Sequence, residues 1–266
     1  MSNDDTARKT QTKILFNTVS PDYDSGPGCF AHFGRRLVEV ANINAGARVL
    51  DIAAGRGAVL FPAAERVGAG GEVVGIDLAE AMTHATSKEA ASRGLRVRVI
   101  VMDAEELTFP DESFDCVTCG FGIMFFPNQD RGLAQMRRVL KPGGCLAIST
   151  WRVDQGAELH PVLKSMGIPT SHSPGWITEP DILEALIRRN GFTGIRVKID
   201  SMDFRYADAE ELWQQRRGTG MRRVLDTLDA TQKKHALSLL TERMKRHHRH
   251  DGYYLGAAAL LAVANR

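Results

Sequence analysis

Apolar residues along the chain fall into two alternating patterns. Short near-continuous apolar runs, "ARVLDIAA", "GEVVGIDL", "RVRVIVMD", "FDCVTCGF" and "CLAISTW", read as buried strands. Between them "AVLFPAAERVG", "AEAMTHATSKEAASRG" and "QDRGLAQMRRVL" carry apolar positions three and four apart and read as helices, as does "RRLVEVANI" ahead of the first strand. Strands alternating with helices of this length predict an α/β fold. The expected form is a Rossmann-like, seven-stranded, mostly parallel sheet with helices on both faces. Past Trp151 the pattern loosens into an irregular stretch, then the helix "EPDILEALIRRNG", the strand "IRVKID", a polar-to-helical insert and a last apolar strand, "YYLGAAALLAVANR".

This pattern divides the chain. Residues 30–151 form the expected ligand-binding core, with 179–204 and 251–266 completing its sheet. Residues 1–29 are an N-terminal arm, and 152–178 and 205–250 are inserts expected to cap an acceptor site. The arm segment "FNTVSPDYDSGPGCFAHFG" sets Phe16, Tyr23, Phe30 and Phe33 among turn formers, a composition suited to a lid over a bound ligand. Such an arm could also cross to a second copy and support a homo-oligomer.

Charge adds little: 34 Lys+Arg stand against 32 Asp+Glu, which calls for neither a nucleic-acid nor a membrane partner. The cluster "KRHHRH", 245–250, lacks interleaved aromatics and is read as a solvated helix end, where cations suit the dipole. The start "MSNDDTARKTQTK" has no apolar core of a secretory signal, and no run of about 18 apolar residues occurs, so a cytoplasmic protein is expected. Cys116 and Cys119 form a C-x-x-C, but on a strand they point to opposite faces and no second pair completes a zinc site. With Cys29 and Cys145 they are read as buried structural thiols, and no metal is expected.

The chemistry concentrates in "VLDIAAGRGAVLFPAAERVG", a strand, a tight turn and a helix that bring backbone N–H groups to a nucleotide-like ligand. A dinucleotide fingerprint would need a third glycine, where this chain has Leu60 after Gly55 and Gly57. Asp51, inside the strand end, would repel a pyrophosphate and attract a ligand bearing sulfonium and ammonium groups. Asp77 and Asp103 follow at the ends of the next two strands, so the three carboxylates should converge on one crevice. Asp77 is placed to accept from ribose hydroxyls and Asp103 from an adenine amino group.

With "VLDIAAGRG", "VVGIDLAEAM", "MDAEELTFPDESFDCVTCGFGIMFFPN" and "MRRVLKPGGCLAISTW" together, residues 30–151 resemble the class I S-adenosylmethionine-dependent methyltransferases. The likeness is to the group similar to ubiquinone/menaquinone-biosynthesis and natural-product enzymes. The resemblance implies S-adenosylmethionine as cofactor. It sets the turn Ala53–Gly57 (with Gly55) under the methionine part, Asp51 near its amino group, Asp77 on the ribose, Leu78 and Met82 beside the adenine, and Asp103 with Ala104 at the adenine edge. The backbone of Gly120 and Phe121 would approach the reactive methyl. Many relatives carry a histidine or polar pair where this chain has "IMFF", and the apolar wall suggests a small, greasy acceptor.

Methyl transfer is an in-line displacement for which the protein supplies alignment and a dry site. A base is needed only where the acceptor holds a proton that must leave, and His32, His160 and His172 are the candidates. Tyr23, Phe125, Trp151 and Trp176 are expected to line the acceptor site. RNA or protein methylation, and a non-catalytic S-adenosylmethionine-binding module, stand as alternatives.

Overall fold

The computed structural model describes residues 3–153, 158–170 and 176–266. Strands β1 (Arg48–Ile52), β2 (Glu72–Asp77), β3 (Val97–Val101), β4 (Phe114–Gly120) and β5 (Leu140–Val153) run parallel. β6 (Thr193–Tyr206), the two-residue β7 (His248–Arg249) and β8 (Gly252–Asn265) complete the sheet in antiparallel pairings. The order is β3-β2-β1-β4-β5-β8-β6, with β7 paired to β8. The chain adds β2 and β3 to one side of β1, then β4 and β5 to the other. Strand order therefore reverses between β1 and β4, and a crevice opens there beyond their carboxyl ends.

Alternation along the central strands supplies two cores. Leu50 and Ile52 join Val117 and Cys119 on one face; Val49, Cys116 and Ala147 join the other. The first face is covered by α5 (Gln129–Val139) and α7 (Pro180–Arg189), whose Leu133, Met136, Leu183 and Ile187 are buried. The second is covered by α2 (Cys29–Ala41) and α3 (Leu60–Val67), through Phe33, Leu37, Leu60 and Ala63. α4 (Glu80–Ser92) packs along β3. α6 (Leu159–Ser165), α8 (Ala209–Arg217), α9 (Arg222–Leu225) and α10 (Ala230–Met244) gather near the open end of the second face. Cys116 and Cys119 lie in opposite cores, and all four cysteines are free.

Three elements differ from the sequence reading. The polar start is a 17-residue helix, α1 (Asn3–Val19), where the sequence pattern marked an arm with no assigned element. It folds back on its own chain. Lys13 pairs with Glu80 at 2.6 Å, the Asn17 side-chain oxygen accepts from Ala81 N at 2.9 Å, and Leu15 and Val19 pack on Ala79 and Met82. α2 begins at Cys29, inside the stretch read as turns, because Asp24 accepts from the N–H groups of Phe30 and Ala31 and so caps it. β6 runs on to Tyr206, past the boundary expected for an insert, because β8 pairs with it over that whole length. No helix among the described residues is long and apolar enough to cross a membrane.

Candidate active site

The crevice is built from strand ends. After β1 the backbone turns through the left-handed region, under strain at Ala53 (φ 54°) and freely at Gly55 (φ 51°). After β4, Phe121 at φ 54° does the same from the other side. The two turns meet closely: a side-chain carbon on Gly122 would lie 2.5 Å from the Ala53 methyl. A carbon on Gly55 would meet nothing nearer than 3.9 Å, so this turn faces open space.

The three carboxylates occupy different depths. Asp77 is fixed by two backbone donors, Gly55 N and Ala79 N, each at 2.9 Å, and burial raises its pKa against those bonds. Asp51 is 1% exposed. Its Oδ1 accepts from Thr118 at 2.7 Å across the β1–β4 register, and its Oδ2 has no hydrogen-bond partner. Burial pushes its pKa up to about 7, with the Thr118 bond opposing. Asp103 already holds a cation: Lys9 of α1 reaches its Oδ2 at 2.6 Å and Glu105 at 2.8 Å. Burial works against charge on Lys9, but the bonds to both carboxylates outweigh it and raise its pKa.

Two adjoining cavities fill the open end. The first, about 80 Å³, is lined by Ala53, Gly55, Asp77, Leu78, Met82, Asp103, Ala104, Gly120 and Phe121, with Lys9 and Lys13 from α1. The second, about 340 Å³, is lined by Tyr23, Phe30, Phe121, Met124, Phe125, Trp151, His160 and Trp176, with Arg8, Arg216 and Arg223. Thr12, Phe16, Tyr23, Phe121 and Phe125 belong to both walls. Aromatic packing makes that wall rigid. Phe121 stacks on Trp151 at 4.1 Å, Tyr23 stacks on Phe30 at 4.9 Å, and Phe16 meets Phe125 edge-on at 4.9 Å.

Most residues singled out from the sequence therefore come together, with three departures. Gly57 faces the Phe61 ring, away from the cavity, and Asp51 lies beneath the first cavity's lining. His32 lines neither cavity: it sits 3.8 Å from Asp200 and edge-on to Phe33 and Phe204, and burial lowers its pKa while Asp200 opposes. His172 lies outside the described residues. Lys9, Arg8, Arg216 and Arg223 on helices, and Glu105 in the turn after β3, were not singled out from the sequence, since a charged residue carries no mark of which way it faces. In the basic cluster, Lys245, Arg246, His247 and Arg249 reach Glu242, Glu158 and Asp203 of the same chain.

A methyltransferase-domain family matches residues 49–144. Aklanonic acid methyltransferase DauC of a Streptomyces species is 44% identical over 148 residues, which are 55% of this chain and 67% of that protein. The chain belongs to the S-adenosylmethionine-dependent methyltransferases. A ubiquinone/menaquinone biosynthesis C-methyltransferase of Ectopseudomonas oleovorans is 38% identical to this methyltransferase over 138 residues, 49% of this chain and 81% of that one. The fold is shared with YcgJ of Bacillus subtilis at a TM-score of 0.61 and 21% identity, covering 88% of the methyltransferase and 98% of YcgJ.

The residues present fit S-adenosylmethionine chemically. The unpartnered Asp51 oxygen suits the methionine ammonium, a fixed Asp77 carboxylate suits ribose hydroxyls, and the open face at Gly55 leaves room between them. In size the first cavity falls short of the roughly 300–1,000 Å³ of small-molecule sites. Lys9, Thr12, Lys13 and Phe16 of α1 form one side of it.

Proposed function

We propose that this methyltransferase methylates a small, aromatic, largely apolar acceptor held in the 340 Å³ cavity, with the methyl crossing at the shared wall of Tyr23, Phe121 and Phe125. The observation that carries the reading is that shared wall, which sets an aromatic-lined chamber directly against the carboxylate-lined crevice. Bound S-adenosylmethionine supplies an electrophilic methyl to a nucleophile presented in line. The chain supplies the rest. Asp51, beneath the lining, would favour the ammonium from below without touching it. Asp77 would hold the ribose and Asp103 and Ala104 the adenine edge, with Leu78 and Met82 packed beside the base.

Burial raises the Tyr23 pKa, with Asp24 and Asp77 adding to it, so the phenol stays protonated. It can donate a hydrogen bond to the acceptor and exclude water, but it cannot serve as base at neutral pH. His160 lines the acceptor cavity and is the candidate base where the acceptor must lose a proton. Residues 1–29, 152–178 and 205–250 would act as the acceptor cap over the core, in a reducing, cytoplasmic setting that suits four free cysteines.

The relatives named for aklanonic acid and for quinone biosynthesis support a small-molecule acceptor. RNA or protein methylation loses its one feature, since the basic cluster is paired within the chain. Incubating the protein with methyl-labelled cofactor and a panel of lipophilic phenols, indoles and quinones, read by mass spectrometry, tests the proposal. Transfer to at least one ring system is expected. Tight S-adenosylhomocysteine binding without transfer to any would overturn the acceptor class.

A further inference from the structure

The C-x-x-C of the sequence brings no two sulfurs together, because Cys119 turns to the other core, but the sheet does so elsewhere. β4 and β5 are parallel, and their register sets Cys116 directly opposite Cys145. Both side chains take the α2 face, Cys116 buried in that core and Cys145 packed at its margin. Opposite residues on neighbouring strands have Cα atoms roughly 4.8 Å apart, inside the roughly 4.4–6.8 Å that a disulfide spans. The pair is also the first rung after the register irregularity between Phe114 and Cys116, where the backbone can yield without pulling on a long ladder.

The two thiols are unequal. Cys116 keeps its proton: its hydrogen bond to Cys145 and its burial raise its pKa, and the charges of Asp51 and Asp115 add to that. Cys145 is half-buried and follows the exposed turn Lys141, Pro142 and Gly143. The bond from Cys116 lowers its pKa against the effect of burial, and Arg196 adds to the lowering. A partly exposed, more acidic sulfur beside a buried, protonated one suits an attacking thiol and its resolving partner. We propose that Cys116 and Cys145 are a peroxide-responsive dithiol that closes to a disulfide between β4 and β5. The Cys145 thiolate attacks hydrogen peroxide, an S–O bond forms, the O–O bond breaks and hydroxide leaves. The Cys116 sulfur then attacks the sulfenic sulfur. The S–S bond forms, the S–O bond breaks, and the departing hydroxide takes the Cys116 proton as water. Peroxide is reduced, both thiols are oxidised, and a thiol reductant reverses the bond. Gly120 ends β4 roughly 13 Å further along, so the bond forms away from the cofactor crevice and leaves it open.

The reduced full chain is exposed to a small excess of hydrogen peroxide, then unfolded and alkylated. Mass spectrometry should show two of the four cysteines blocked, and a tryptic link between residues 99–131 and 139–152 that dithiothreitol removes. The first peptide carries both Cys116 and Cys119, so the link should survive Cys119→Ala and vanish in Cys116→Ser. In Cys116→Ser the Cys145 sulfenic acid should accumulate and be trapped by dimedone, whereas in Cys145→Ser the Cys116 thiol should stay open to alkylation. Four alkylated cysteines in the treated native protein, or a link that persists in Cys116→Ser, would overturn the proposal. The native protein alone can fail this test, so it does not hang on any variant folding. S-adenosylhomocysteine should bind oxidised and reduced protein within about twofold of one another, and a loss of about tenfold would overturn the placement of the bond away from the crevice.

Discussion

At the scale of single residues the most consequential group is Asp51, a fully buried carboxyl whose Oδ1 accepts from Thr118 and whose charge burial disfavours. Its folded pKa, about 7, lies above the ordinary 3.8, so the fold favours the protonated form. Stability contributed by that proton is fully present below about pH 4 and is lost as pH rises toward 7. An Asp51→Asn protein should therefore gain on the native one by on the order of 4 kcal/mol between those limits, read from urea unfolding at a series of pH values. Ligand binding should pull the other way. A methionine ammonium in the cavity above Asp51 favours the carboxylate, so S-adenosylhomocysteine binding at pH 6 should release protons, seen as a buffer-dependent heat in calorimetry that Asp51→Asn abolishes. Asp77→Ala should weaken the same binding by about 2 kcal/mol, because it removes the ribose acceptor and frees the Gly55 N–H it anchors. Unchanged affinity would mean the crevice is wrongly assigned.

At the scale of elements, α1 shows how a helix can be invisible in sequence and still decide a site. Its polar residues give almost no apolar face, and what holds it is particular: Lys9 between Asp103 and Glu105, Lys13 on Glu80, Asn17 on Ala81 N. Such pairings join positions far apart in the chain, so no local pattern announces them. The strand-end carboxylates were legible for the opposite reason, since parallel strands carry position along the chain directly into position along one sheet edge. Removing residues 1–25 should leave a cooperatively melting core but cut turnover sharply, because Phe16 and Tyr23 leave both cavity walls. Lys9→Met should be milder: it leaves Glu105 with Asn128 N as its hydrogen-bond donor, takes the cation from Asp103, and loosens α1 by about 3 kcal/mol, seen as faster amide exchange confined to that helix. Protection of α1 unchanged from the native protein would show that the ion pairs do not hold it.

At the scale of the molecule, alternation of strand and helix was enough to read the sheet. It could not say that the last strand would be inserted between earlier ones. β8 lies between β5 and β6, pairing with both, so an interior place in the sheet, one strand from its edge, is filled by residues 252–265. Ending the chain before Gly252 should accordingly leave no cooperative unfolding transition at all, whereas the N-terminal deletion keeps one.

The narrow first cavity also fixes the order of events in time. With Lys9, Lys13 and Phe16 of α1 in its wall, a crevice of about 80 Å³ is narrow for a nucleoside, and cofactor entry is expected to need that helix to lift. The observed rate of cofactor association should then climb with concentration only to a ceiling, set by how often α1 opens on its own. Release would run through the same step, so turnover could never outpace the helix.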